Sequence, residues 1–342
     1  MFGALILATC LVNSSRSVTF SYSNPSAHNV KINGDFNTWN DPEPMEQSGS
    51  VWTKKILLPD DGRCEYKFVV DGNWIDDPVN PVKTDNGLGG ENSVWQGPRY
   101  RFFATEEHTP QHPLERTTVE IGSRQIVIFK PVRSAGLPIL IYGDGPSYEH
   151  FGKIQNVIEN MVEEGKIRPV IIVLVPPIDR MTEYGSGWRA YAFYLFDKVL
   201  PAIRASTGAS DKAGDLYMGG SSMGGLIAFR LAEEFPAKFS GGIQGQSTAF
   251  QWSPAIQGQE FTDLSTVESL RKIAPQTRIW VDWGELEGGL VVADQKAVAN
   301  LQSMHRAYGS KVTAEGHNWT AWRNRMTAGL ILILGPAGPP SR

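Results

Sequence analysis

Hydrophobic and polar positions follow two different rhythms along the chain. From residue 17 to about 97 the apolar residues come in short alternating runs. These are Val18-Thr19-Phe20-Ser21-Tyr22, Val30-Lys31-Ile32-Asn33-Gly34, Trp52-Thr53-Lys54-Lys55-Ile56-Leu57-Leu58 and Glu65-Tyr66-Lys67-Phe68-Val69-Val70. A period of two puts alternate side chains on one face of a strand. The dipeptides Asn33-Gly34, Asp61-Gly62 and Asp71-Gly72 are turn signals between such runs. Short strands at regular spacing predict a small immunoglobulin-like β-sandwich over 17–97.

A polar stretch over 98–113, with Pro110 and Pro113, reads as a linker. Beyond it, over 114–336, the rhythm changes. Gln125-Ile126-Val127-Ile128-Phe129 is a strand, and residues 137–142 and 170–175 are nearly continuous apolar runs. Such runs mark strands buried on both faces. Helical periodicity appears over 154–164, 195–205, 224–234 and 294–308. Strands alternating with helices predict a mostly parallel sheet with flanking helices.

The chain has 342 residues, room for two domains of this kind. It is 41% hydrophobic and 20% charged, with a net charge of -4 and no basic stripe, which excludes nucleic acid as a partner. Phe2 to Val12 has the length of a signal-peptide core and is too short to span a bilayer, although a basic segment before it is missing. We therefore expect a signal segment over 1–16 and a secreted or periplasmic protein, or a cytoplasmic one if this segment is not a signal peptide. The run 330–334 is also too short to cross a membrane, so no membrane span is expected. Of the two cysteines, Cys10 falls in the leader and Cys64 is left without a partner, so no disulfide framework is expected. His108 and His112 stand four apart, but Pro110 lies between them and no third ligand follows, so neither a metal nor any other cofactor is expected.

The chemistry concentrates in Gly220-Ser221-Ser222-Met223-Gly224-Gly225, between the apolar strand 215–218 and the helix that opens at Leu226. A serine in a strand-turn-helix G-x-S-x-G is a nucleophile elbow. The sharp turn lifts the hydroxyl of Ser222 off the sheet, and small residues two positions either side let the backbones pass. The Met223 N–H then faces a developing oxyanion at a helix N-terminus. A serine hydroxyl needs a base, and the chain order in such folds is serine, acid, histidine. His317, in Gly316-His317-Asn318-Trp319 just past an apolar strand, fits that place, whereas His305 lies in a polar helical stretch. The acid should sit on the loop after the strand 278–283, which offers Glu287 first, then Glu285, then Asp282 within the strand itself. The second oxyanion donor is expected from Gly143 or Gly145 in Tyr142-Gly143-Asp144-Gly145-Pro146.

On Tyr142 to Gly145, Asp179-Arg180-Met181-Thr182-Glu183-Tyr184, Gly220 to Gly225, Phe235-Pro236-Ala237-Lys238-Phe239, Gln246-Ser247 and Gly316 to Trp322, the segment 114–336 resembles the esterase family that includes enterochelin esterases and the feruloyl and acetyl-xylan esterases of plant cell-wall degradation. The resemblance implies an α/β-hydrolase fold and places the acid on Glu287, where Glu285 stands in for the family's usual Thr. It also places Arg180 and Glu183 near the site. Tyr184, Trp188 and Trp252 are candidates for an aromatic acyl pocket. The first segment is similar to the carbohydrate-binding module of AMP-activated kinase β subunits and glycogen-branching enzymes. It shares Gly34-Asp35-Phe36-Asn37-Thr38-Trp39, Tyr66 to Trp74 and Leu88-Gly89-Gly90-Glu91-Asn92. That resemblance implies glycan contacts at Trp39, Lys67, Trp74, Leu88 and Asn92.

These features predict a serine carboxylic-ester hydrolase acting on an acylated oligo- or polysaccharide, such as a feruloyl or acetyl ester. A siderophore esterase of the enterochelin type is the alternative enzyme. A glycan-binding protein that kept a hydrolase scaffold without its catalysis is the alternative outside enzymes.

Overall fold

A computed structural model describes residues 14–102, 109–252 and 262–335. Most of the expected signal segment with Cys10, the linker residue His108 and much of the loop after Trp252 lie outside the described residues. The chain divides into two compact units. The smaller holds the residues up to Asp85, Gly90–Arg101 and Ala314–Gly316, and the larger holds Asn86–Gly89, Phe102–Thr313 and the residues from His317 on.

The smaller unit is an antiparallel β-sandwich. Among the described residues, one sheet has three strands and the other six. In the first, Ser15–Ser23 pairs along its whole length with Val51–Pro59. The strand begins at Ser15, two residues before the expected boundary at 17, because Ser15 and Arg16 continue the ladder opposite Pro59 and Leu58. In the second, Arg63–Val70 lies between Val30–Gly34 and Glu91–Gln96. Phe20, Trp52 and Leu58 from one sheet and Ile32, Tyr66 and Phe68 from the other are buried, as alternation along each strand requires. Cys64 is buried and free, and burial pushes its thiol well up.

The larger unit is an α/β-hydrolase fold. Its sheet comprises β1 (Glu115–Ile121), β2 (Arg124–Lys130), β3 (Ile139–Tyr142), β4 (Ile171–Leu174), β5 (Leu216–Ser221), β6 (Gly242–Gln246), β7 (Arg278–Gly284) and β8 (Tyr308–Thr313), in spatial order β1-β2-β4-β3-β5-β6-β7-β8. The first two strands run antiparallel, and the pairings from β4 to β8 are parallel. The continuous apolar runs are explained by two cores. Ile139, Ile141, Ile171 and Val173 face one, and Leu140, Tyr142, Ile172 and Leu174 face the other. Helices cover both faces. They include α1 (Gly145–His150), α2 (Ile154–Glu163), α3 (Arg180–Tyr184), α4 (Met223–Glu234), α5 (Gly289–Ser303) and α6 (Trp319–Leu334).

One expected helix differs. The helix predicted over 294–308 runs from Gly289 to Ser303, and Tyr308 opens β8 opposite Ile279. Ala297, Leu301, Met304 and Tyr308 all pack on one core at helical spacing, so the periodicity runs on past the true end. The chain breaks at His305, which takes a left-handed φ of 53°. His305 therefore sits in a turn after the helix and not within one. No helix among the described residues is long and apolar enough to cross a membrane. Leu330, Ile333 and Leu334 instead bury the end of α6.

Candidate active site

Ser222 stands between β5 and α4 with φ 54° and ψ -121°, a region that an L-residue enters only when its surroundings force it. The turn is locked by backbone bonds. The Ser222 N–H donates to Gln246 O at 2.9 Å, and its carbonyl accepts from Leu226 at 3.1 Å and Ala249 at 3.2 Å. The glycines around it are needed for space. A Cβ on Gly220 would overlap the Gly224 carbonyl, and one on Gly225 would lie 2.6 Å from Thr248 Oγ1. Ser222 is half-buried. Met223 is the first residue of α4, where the N–H groups have no acceptor within the helix.

His317 precedes α6, whose N-cap Asn318 accepts from the Ala321 N–H at 3.0 Å. The imidazole Nδ1 lies 3.0 Å from Glu287 Oε2. The Glu287 side chain is fully buried and that of His317 is 30% exposed, so the acid sits behind the ring and the ring faces outward. Glu287 Oε1 accepts from Ser247 Oγ at 2.7 Å, from the Gly284 N–H at 2.6 Å and from Arg325 Nη2 at 3.1 Å. Burial pushes the Glu287 carboxyl up, but the His317 hydrogen bond and the charges of Arg325 and His317 outweigh it. The net position is below the ordinary glutamate value, and the group is anionic at neutral pH.

The other two candidate acids are placed differently. Glu285 is exposed. Asp282 is fully buried, with its oxygens on Arg325 Nε at 2.7 Å and the Trp280 indole at 2.7 Å. Sequence reasoning missed Arg325 and the linking role of Ser247. The available signal was helical spacing, since Trp322, Arg325, Met326, Gly329, Leu330 and Ile333 form one buried stripe with a charge inside it.

The loop after β3 is shaped by its neighbours. A Cβ on Gly143 would lie 2.6 Å from the Tyr184 hydroxyl oxygen, and one on Gly145 would lie 2.7 Å from the Leu174 carbonyl carbon. Between them Asp144 is left-handed, and its N–H donates to the Tyr184 hydroxyl at 2.8 Å. Its carboxylate takes both arms of Arg180 at 2.8 and 2.9 Å, and Arg180 Nη2 also reaches Ser221 O at 3.3 Å. Arg180 and Glu183 are thus not partners of each other, because Glu183 pairs with Arg124. Tyr184 is 1% exposed, so it shapes the loop from within and does not line a pocket. Trp188 and Trp252 share the wall of a cavity of about 690 Å³ with Arg189, Arg230 and Lys272. Ser222 and His317 are not on that wall.

In the smaller unit, Trp39 and Trp74 stack at 6.5 Å with 29° between their planes. Thr38 and Trp39 are both left-handed, and the Trp39 indole donates to Asp35 Oδ1 at 2.8 Å. Burial and the neighbouring Glu65 push Asp35 up to about 7. Lys67 is held by Asp76 at 2.5 Å. Asn92, expected at a glycan surface, is 7% exposed and donates inward to Glu65 Oε2 at 2.8 Å. Leu88, at 91% exposure, falls among the residues that group with the larger unit. Among the described residues no cluster of three or more His, Cys, Asp or Glu side chains is placed to hold a metal ion.

The family model described as "Putative esterase" matches residues 121–333, and one described as the glycogen recognition site of AMP-activated protein kinase matches residues 16–94. The iron(III) enterobactin esterase of Escherichia coli O6:H1 is 24% identical over 274 residues, which are 77% of this chain and 68% of that protein. The enterochelin esterase of Shigella flexneri superposes with a TM-score of 0.74 at 21% identity, over 93% of this chain and 92% of that one. A ferulic acid esterase superposes with a TM-score of 0.54 at 16% identity, over 66% of this chain and 98% of that one.

Proposed function

This chain belongs to the esterase family, and on that premise we propose that it is a serine carboxylic-ester hydrolase whose substrate is an acylated carbohydrate, a feruloyl or acetyl ester of a plant polysaccharide. Ser222 attacks the ester carbonyl while His317 takes the hydroxyl proton. The oxyanion is held by the N–H of Met223 and by one from Gly143 or Gly145, since the Asp144 N–H is occupied by Tyr184. His317 then passes the proton to the leaving sugar alcohol, and the acyl-enzyme remains. Water, deprotonated by His317, cleaves it and releases the acid. Glu287 orients the imidazole and stabilises the imidazolium. Family membership sets aside the reading as a non-catalytic glycan-binding protein.

The observation that carries the substrate reading is the Trp39–Trp74 pair. It offers two near-parallel rings, one of them 50% exposed, in a unit matched by a glycogen-recognition model. Flat aromatic faces are what a sugar chain stacks on. Export, the expectation raised by residues 1–16, would bring the enzyme to such a polymer.

One observation favours a second reading. The likeness to the Shigella flexneri enterochelin esterase runs over 93% of the chain, against 66% for the ferulic acid esterase. On that reading the substrate is an enterochelin-type triester. The test is acid release from feruloylated and acetylated xylooligosaccharides beside a catecholate siderophore triester. Release of ferulate or acetate supports the carbohydrate reading, and cleavage of the triester alone replaces it with the second. Ser222→Ala should abolish turnover of whichever ester is cleaved and leave polysaccharide binding in place. Turnover retained in that variant rules out the serine mechanism.

A further inference from the structure

Arg325 lies on α6, eight residues after His317, and is fully buried. Its guanidinium makes at least four polar contacts. Nε donates to Asp282 Oδ1 at 2.7 Å, Nη1 to Thr313 Oγ1 at 3.1 Å, and Nη2 to both Ser247 Oγ at 2.8 Å and Glu287 Oε1 at 3.1 Å. A buried guanidinium needs a counter-charge, and Asp282 supplies one. Asp282 is itself fixed by the Trp280 indole at 2.7 Å. The arginine is therefore anchored on the sheet through Asp282 and presents its far arm to a second carboxylate.

That second carboxylate is held asymmetrically. Glu287 Oε1 receives three donors, from Ser247, Gly284 and Arg325, while Oε2 lies 3.0 Å from His317 Nδ1. Ser247 is fixed in turn, since its Oγ accepts from Arg325 and from the Trp322 indole at 2.9 Å. A carboxylate pinned through one oxygen cannot rotate without breaking all three bonds. A carboxylate beside a buried cation also stays ionised.

We propose that Arg325 is a positioning residue for ester hydrolysis: anchored on Asp282, it fixes and keeps ionised the Glu287 carboxylate, and through it sets the tautomer and aim of the His317 imidazole. This rests on Glu287 being the acid of the triad. Removing the cation takes stabilisation from the Glu287 anion, so Glu287 protonates at a higher pH. The acid limb of the rate profile should then move upward in pH.

The test uses the full chain and a soluble aryl ester. Arg325→Met alone would leave Asp282 buried without its partner. The double variant Arg325→Met/Asp282→Asn removes the Arg325–Asp282 ion pair as a unit, so that Asp282 is not left as an orphan charge and Glu287 alone is left without the cation. In it kcat should fall about ten- to a hundredfold with little change in KM, and the acid limb should rise, the loss of the cation outweighing the relief of Asp282's repulsion. Arg325→Lys keeps the charge but not the fork, so its limb should stay near that of the parent while kcat falls. A folded double variant with the parent's kcat and acid limb would overturn the proposal. If the double variant does not fold, a parental kcat in Arg325→Lys would do the same. Glu287→Gln run alongside separates the two claims. If it turns over like the parent, the acid assignment fails; if it is inactive while the arginine variants are unaffected, only the positioning role fails.

Discussion

Glu285 and Glu287 are two residues apart and chemically alike, yet the backbone treats them oppositely. The turn after β7 leaves Glu285 exposed and folds Glu287 inward to His317 Nδ1 at 3.0 Å. Glu287→Gln should lower kcat/KM on a soluble ester by about a thousand- to ten-thousandfold, because an amide leaves the imidazole in the wrong tautomer. Glu285→Gln should stay within about twofold, and steady-state kinetics of the pair checks both. Ser222 and His317 were legible in the sequence because each sits in a local pattern with a steric or positional meaning. Arg325 was not singled out: the helical stripe around it shows a charge turned inward but not what that charge serves, because its partners Asp282, Ser247, Glu287 and Thr313 all lie elsewhere in the chain. Asn92, Tyr184 and Glu183 have the chemistry of surface ligands. Their burial or pairing with Glu65, Asp144 and Arg124 is set by tertiary packing, which residue type alone does not reveal.

At the scale of elements, the crossing of β5 and α4 decides whether the site exists. Gly220 has no room for a methyl against the Gly224 backbone, and neither partner is a flexible side-chain end that could give way. Gly220→Ala should cost about 1–3 kcal/mol of stability, seen as a lowered Tm with a loss of activity. A mutant with the parent's melting curve would mean that the helix can slide. The inner strands were readable because two faces of burial leave continuous apolar runs, and the sandwich strands because one face leaves alternation. The end of α5 was not readable, since Met304 and Tyr308 keep helical spacing while belonging to the turn and strand that follow.

For the whole molecule, the sequence separates a β-unit from an α/β-unit by rhythm alone, but the division is not one cut, since residues 86–89 and 314–316 each group against their sequence neighbours. If the smaller unit brings the enzyme to polymer, Trp74→Ala should weaken binding to insoluble polysaccharide about tenfold, the loss of one stacking face. Turnover of polymer-bound ester should fall with it. A depletion assay with the parent's affinity would leave the Trp39–Trp74 pair a packing feature only. The strain at Ser222 reaches further than the site. A serine held at φ 54° and ψ -121° stores about 1–3 kcal/mol, and glycine would take that conformation freely. If Ser222 is the nucleophile proposed above, selection for folding and selection for turnover pull this one position in opposite directions. In any lineage where the chemistry is no longer needed, drift at 222 has a preferred destination, and a descendant carrying glycine there would be a sturdier protein with no reaction left to perform.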